Sequence, residues 1–255
     1  MELFLLFFLI EKLETIAREA GDIILKYYNS IGLNINIKSD GSPVTKADIN
    51  SEKLIVSKLK KNFSYPIVTE ETPVKYSERK KWKKYWLVDP LDGTEDFINK
   101  NDEFTVNIAL IENHHPVLGI VYAPALNLMY TGHINLGSKK NGMPLYNCSK
   151  RTSLIAADSR HNSSTETKNF LSLNNISKIL KIGSSLKLCS LADGLIDVYP
   201  RFNGTKEWDT AAAHIICKEA GCKIIDIKTK KELIYNKQTI KNNFFIASRN
   251  NLNFL

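Results

Sequence analysis

The sequence predicts a layered protein of α+β and α/β character, with helix and sheet layers alternating and two subdomains in one compact chain. Three observations carry this. Apolar residues recur at helical spacing near the start, at Leu13, Ile16, Ala17, Ala20 and Ile24. A run of strand-like segments follows. The second half then alternates short strands with helices, and that mixed order argues for stacked layers rather than a simple doubly wound sheet. The chain has 255 residues, 43% hydrophobic and 24% charged, enough apolar material for one large domain or two modest ones.

Residues 3–10 form an apolar run of eight, too short to span a bilayer and without the basic start of a signal peptide. We read it as the front of a long amphipathic helix; contact with a membrane surface or a partner is the other reading. Residues 38–43 are rich in Gly, Pro and Ser and predict an exposed loop. A second helix is expected over 45–61, with Leu54, Ile55 and Leu59 facing inward. Strands are expected over 66–69, 85–88, 104–111, 117–122 and 128–131, with a hairpin connection at His115-Pro116. The polar, turn-rich stretch 137–147 suggests a boundary, giving subdomains of 1–140 and 141–255. Beyond it we expect strands over 154–157, 179–182 and 196–199, and helices over 165–171 and 186–192. Trp208, Ala211, Ala212, Ile215 and Ile216 make a further helix stripe, closed by Gly221.

The net charge of +8 fits an anionic partner, but the lysines are scattered as solvated surface, so a nucleic-acid polymer is not expected. Of the four cysteines, at 148, 189, 217 and 222, no pair has the spacing of a zinc or redox site. Cys189 and Cys217 sit in apolar runs and read as core residues. A reducing cytoplasm is the default compartment, with the cytoplasmic face of the inner membrane as the variant if residues 3–10 meet lipid.

The strongest chemical signal is Trp86-Leu-Val-Asp89-Pro90-Leu91-Asp92-Gly93-Thr94. An apolar strand is expected to end at Asp89, because Pro90 cannot donate a ladder hydrogen bond. Two carboxylates three positions apart then stand on a tight turn. Magnesium takes oxygen ligands at about 2.0–2.1 Å and keeps several waters, which two carboxylates and the Leu91 carbonyl can complement. Gly93 and Thr94 add backbone N–H groups for an anion. Either aspartate alone would more often be a turn-former.

Asp89-Pro-Leu-Asp-Gly-Thr94, preceded by Glu70-Glu71 and followed by Trp208-Asp209, resembles the inositol monophosphatase superfamily of lithium-sensitive, metal-dependent phosphatases. Within it the chain is most similar to the CysQ-type 3′(2′),5′-bisphosphate nucleotidases, through residues 38–45, 104–110, Gly183-Ser-Ser-Leu-Lys187 and Tyr199-Pro-Arg-Phe202. The resemblance spans nearly the whole chain. It implies an αβαβα, sugar-phosphatase-like fold and a phosphomonoesterase of sulfur assimilation that converts adenosine 3′,5′-bisphosphate to AMP and phosphate. Inositol 1-phosphate and sugar phosphates are the alternative substrates, and a basic nucleic-acid-binding protein on the same scaffold is the alternative of another class.

Carried over by position, the resemblance implies two magnesium ions, with room for a weaker third near Glu70. Glu70, Asp89 and the Leu91 carbonyl would hold one; Asp89, Asp92 and Asp209 the other. Thr94, hydrogen-bonded to Asp48, would help Glu70 activate the attacking water. Asp92, Gly93, Thr94, Gly183, Ser184, Ser185, Lys187, Arg201 and Asp209 would bind the substrate. Asp48 also fits a capping box with Thr45, Asp209 fits any helix N-terminus, and both roles can hold at once. The choice of Glu70 over Glu71 rests on the family pattern. Glu95-Asp96-Phe97 departs from the Lys-Glu-Phe common in the family, as does Thr69 from Ser. The sequence fits a monomer and a homodimer equally.

Overall fold

Helix α1 (Glu2–Tyr28) carries the expected stripe: Leu13, Ile16, Ala17, Ala20 and Ile24 are each 2% exposed or less. Its first two turns are different, since Phe4, Leu5, Phe7 and Phe8 lie on the outside. The computed structural model describes residues 2–30, 35–38, 41, 43–146 and 151–254. Among them, no helix is long and apolar enough to cross a membrane. Ser39, Asp40 and Ser42 of the expected loop, with Asn147 and Cys148, lie outside the described residues. Strands β1 (Ile35–Ile37) and β2 (Pro43–Thr45) pair with each other, and helix α2 (Lys46–Asn62) starts directly after. Ile55 and Leu59 bury its inner face, and Leu54 is partly buried beside them.

α1 and α2 cover one face of a seven-stranded sheet in strand order β3 to β9. Its members are β3 (Ile67–Thr69), β4 (Lys84–Asp92), β5 (Thr105–Glu112), β6 (His115–Ala123), β7 (Leu128–His133), β8 (Gly137–Lys140) and β9 (Met143–Pro144). Helices α3 (Tyr76–Arg79) and α4 (Thr94–Ile98) flank β4. β3 and β4 run parallel; the other pairs are antiparallel. The β5–β6 hairpin turns on Asn113 and His114, with φ of 48° and 69°, two residues before the expected place. His115 and Pro116 already belong to β6, where a register shift accommodates the proline.

The second sheet has the order β11-β10-β12-β14-β13. It is assembled from β10 (Ile155–Ser159), α5 (Thr165–Leu173), β11 (Lys178–Ile182), α6 (Leu186–Ala192), β12 (Val198–Arg201), α7 (Glu207–Glu219), β13 (Cys222–Asp226) and β14 (Phe245–Arg249). The chain changes sheets between Pro144 and Ile155, so the division expected at 140 and 141 falls inside the β8–β9 hairpin. α6 and α7 lie between the two sheets in the main core, with Cys189 and Cys217 fully buried there. α7 packs against β5, β6 and β7, and Gly119 permits the approach: a β-carbon there would stand 2.2 Å from the Ala212 carbonyl. Gly221, at φ 84°, closes α7 as expected. On the outer face, Leu171 of α5 and Ile176 bury Ala156, Val198 and Ile246. The layers therefore run helix, sheet, helix, sheet, helix.

Candidate metal centre and active site

The site forms where β4, β3, the start of α6 and the start of α7 meet. β3 and β4 pair in parallel with Thr69 opposite Val88, so Glu70, just past the end of β3, stands beside Asp89 of β4. Pro90 does not end β4, contrary to the sequence-based expectation. The strand continues to Asp92 through a register shift: Asp89 pairs with Asn107 and Asp92 with Thr105. Pro90 tolerates this bulge because it has no N–H to offer the ladder. Its carbonyl instead accepts a hydrogen bond from Ser51 Oγ at 3.0 Å, and Leu91 N donates to Asp89 Oδ1 at 3.1 Å.

Glu70, Asp89 and Asp209 each place a carboxylate oxygen within 4.8 Å of the others. Asp209 reaches them from the first turn of α7, where its Oδ2 also caps Lys206 N at 2.8 Å. Asp92 stands beside the three, held by Ser185 Oγ at 2.8 Å and, more loosely, by Asn107 Nδ2 at 3.4 Å. Ser185 Oγ also lies 2.7 Å from the Asp209 carbonyl, which joins the starts of α6 and α7. Burial, then the charges of Glu70, Asp92 and Asp209, push the Asp89 carboxyl well above the usual carboxylate range. Burial, then Asp92 and Glu70, push Asp209 up to about 8. Asp92 is raised as well, by burial, against the pull of Lys187. Carboxylates so crowded resist ionising together, and a hard divalent cation relieves that conflict. An all-oxygen donor set fits magnesium.

Glu71 takes a different part: Lys38 Nζ bridges Glu71 at 2.6 Å and Glu70 at 2.8 Å, while only Glu70 joins the acidic group. Burial works to lower the Lys38 pKa, but the two glutamates outweigh it and raise it. Asp48 makes both of its expected hydrogen-bonding contacts, to Thr45 and to Thr94. Its Oδ2 accepts from Thr45 N at 2.8 Å and Thr45 Oγ1 at 2.6 Å, and its Oδ1 accepts from Thr94 Oγ1 at 3.2 Å. Burial raises its pKa.

The acids open into a cavity of about 440 Å³. Leu91, Gly93, Thr94, Ser184, Ser185, Lys187 and Arg201 also line it, but Gly183 does not. The Gly183 N–H points away, to Glu103 Oε2 at 2.7 Å. The Lys187 ammonium donates to the Ser184 carbonyl at 2.8 Å, and burial lowers its pKa to about 8 despite the charge of Asp92. Arg201 donates to the carbonyls of Asn162 and Gly204. Sequence reasoning missed His161, Asn203, Lys206 and Lys241 on the cavity wall. Isolated polar residues in loops carry no spacing signal, and only the fold brings them here.

Residues 8–253 match the model of the inositol monophosphatase family. The chain belongs to that family. Among its relatives, the 3′(2′),5′-bisphosphate nucleotidase CysQ of Escherichia coli is 40% identical over 225 residues, covering 84% of this chain and 89% of the relative. The nucleotidase CysQ of Buchnera aphidicola is 39% identical over 229 residues, covering 85% and 83%. The crystal structure of CysQ from Bacteroides thetaiotaomicron superposes with a TM-score of 0.81 at 34% identity, covering 93% of this chain and 95% of that one. The inositol monophosphatase family is metal-dependent, and the acids described here provide this member with a fitting donor set.

Proposed function

We propose that this chain is a magnesium-dependent 3′(2′),5′-bisphosphate nucleotidase that converts adenosine 3′,5′-bisphosphate to AMP and phosphate in the cytoplasm. The observation that carries the reading is the convergence of Glu70, Asp89 and Asp209, with Asp92 beside them, in a chain 40% identical to such nucleotidases. Glu70, Asp89, Asp92, Asp209 and the Leu91 carbonyl would hold two magnesium ions, with a weaker third near Glu70. Bound there, the cations lower the pKa of water and offset charge on the phosphoryl oxygens.

The protein's own groups do the rest. Thr94 donates its hydroxyl proton to Asp48, which leaves its lone pairs to accept a proton from the attacking water. Asp48 is locked by the cap on Thr45 and cannot turn away. Glu70 orients the same water. The N–H groups at Gly93 and Thr94 meet the scissile phosphate. Lys187, Arg201, Lys206 and Lys241 line the same cavity as the acids, which suits a substrate with an anionic group besides the one being cleaved. Ser184 supplies a hydroxyl between these two regions, while the Ser185 hydroxyl is engaged with Asp92 and the Asp209 carbonyl and holds the turn in place. No covalent intermediate is needed, so catalysis is positioning and electrostatics.

Phosphate release from adenosine 3′,5′-bisphosphate, inositol 1-phosphate and fructose 1,6-bisphosphate, with magnesium, lithium or EDTA, tests the reading. The adenosine bisphosphate should turn over fastest, with inhibition by lithium and loss in EDTA. Preference for inositol 1-phosphate would overturn the substrate; EDTA-resistant turnover would overturn the metal centre.

A further inference from the structure

Ser184 has φ of 43°, in the left-handed region that a serine adopts only when its surroundings compel it, and it lines the cavity. The turn Gly183–Ser185 is gripped at both ends. At one end Ser185 is fixed by Asn107 at 2.9 Å, Asp92 and the Asp209 carbonyl. At the other, Gly183 donates its N–H to the Glu103 carboxylate at 2.7 Å. Glu103 comes from the other sheet's side, in the loop between α4 and β5, and its Oε2 is braced by Arg160 Nη2 at 2.5 Å. α4 and the same loop pack tightly on the turn. A β-carbon at Gly183 would stand 2.4 Å from Asp96 Oδ2 and 2.8 Å from the Glu103 carbonyl. Asp96, itself buried, also lies 2.9 Å from Nε2 of His161 on the cavity wall.

We propose that Glu103 is a positioning residue: its carboxylate, braced by Arg160, holds Gly183–Ser185 in the strained shape that presents Ser184 to the substrate. The proposal rests on the nucleotidase reading above for the role of the cavity. A charge-assisted bond to a backbone N–H supplies the restraint that the left-handed serine needs. Because Ser185 is held independently, losing Glu103 frees the Ser184 end of the turn and leaves the acids in place. The effect therefore falls on substrate affinity and not on the chemical step.

The test compares the full-length protein with Glu103→Ala, Glu103→Gln and Arg160→Ala, measuring kcat, KM and thermal midpoint. Glu103→Ala should raise KM about tenfold with kcat within about threefold. Glu103→Gln, which still offers an oxygen to Gly183, should restore KM to within about threefold of wild type. Arg160→Ala should raise KM about threefold, since Glu103 loses its brace but can still accept from Gly183 N. An unchanged KM in Glu103→Ala overturns the proposal. So does a lower midpoint with reduced kcat and constant KM, the signature of a merely structural role. If Glu103→Ala does not fold, Arg160→Ala decides, its side chain being 36% exposed: raised KM at constant kcat supports the proposal and unchanged KM overturns it. Wild-type turnover of adenosine 3′,5′-bisphosphate is measured separately. Its absence sinks the nucleotidase reading alone, and the variants are then compared on whichever of the three phosphate esters is hydrolysed.

Discussion

Replacing Asp89 by Asn should make the metal-free protein more stable while abolishing its response to magnesium. Asp89 is 1% exposed, and Glu70 and Asp209 each offer an oxygen within 4.8 Å of its carboxylate. At an effective dielectric near 20, like charges about 5 Å apart repel by about 3 kcal/mol. Part of that is already relieved, because the raised pKa values of Asp89 and Asp209 let protons remain in the cluster. The Asn side chain keeps the shape, still accepts from Leu91 N and can donate to either neighbour. A net gain of about 2 kcal/mol remains, equivalent to a rise of roughly 4–8 °C in Tm for a chain this size. Thermal melts at pH 8, in EDTA and then in excess magnesium, measure both halves. Wild type should gain about 2.7 kcal/mol at magnesium a hundredfold above its Kd, and the variant little. A variant less stable than wild type in EDTA, or one stabilised equally by magnesium, would refute the argument that the acids are a strained cluster awaiting a cation.

The raised pKa of Asp209, about 8 against 3.8 unfolded, means the folded metal-free protein holds a proton that the unfolded chain has released. Its stability should therefore fall as pH rises from about 4 to 8, and urea melts in EDTA that strengthen over this range would contradict the burial argument. The Lys187 pKa of about 8 predicts that KM for adenosine 3′,5′-bisphosphate rises above that pH, and Lys187→Met should flatten the profile. Thr94→Val should lower kcat about 100-fold with a Tm within a few degrees of wild type; near-normal turnover would remove Thr94 from the reaction. Gly119→Ala should cost about 3 kcal/mol in chemical denaturation, because the new methyl group meets the Ala212 backbone rather than a movable side chain.

Features written in one stretch of chain were legible in the sequence. The α1 stripe, the α7 stripe with its closing glycine and the helix 186–192 all appear as expected, since a short-range period sets each of them. β13 and β14 escaped. Cys222–Asp226 and Phe245–Arg249 pair with each other across a long irregular connection, and no turn signal links them. The exposed front of α1 was legible as a helix but not as a surface, because residues 3–10 are apolar on every side and periodicity cannot choose a face. The same limit hid Glu103 and Asp96. Their partners Gly183, Arg160 and His161 lie 57 residues or more away in the chain, so only tertiary topology reveals the contact.

The geometry of Asp89–Thr94 goes beyond what its residue spacing implies. In a regular strand successive side chains alternate, so Asp89 and Asp92, three apart, would face opposite sides of the sheet. The bulge at Pro90-Leu91 changes that parity. Asp89 pairs with Asn107 and Asp92 with Thr105, two residues that share a face, so the extra residue turns both aspartates to one side. Pro90 belongs in the motif because a residue without an N–H leaves no broken ladder bond there, and Leu91 places its N–H on Asp89 instead. The two carboxylates can then face Asp209 at the start of α7, whose approach to the sheet depends on Gly119. A spacing of three that a regular strand would scatter is converted by one inserted residue into a common side on which a cation can be held.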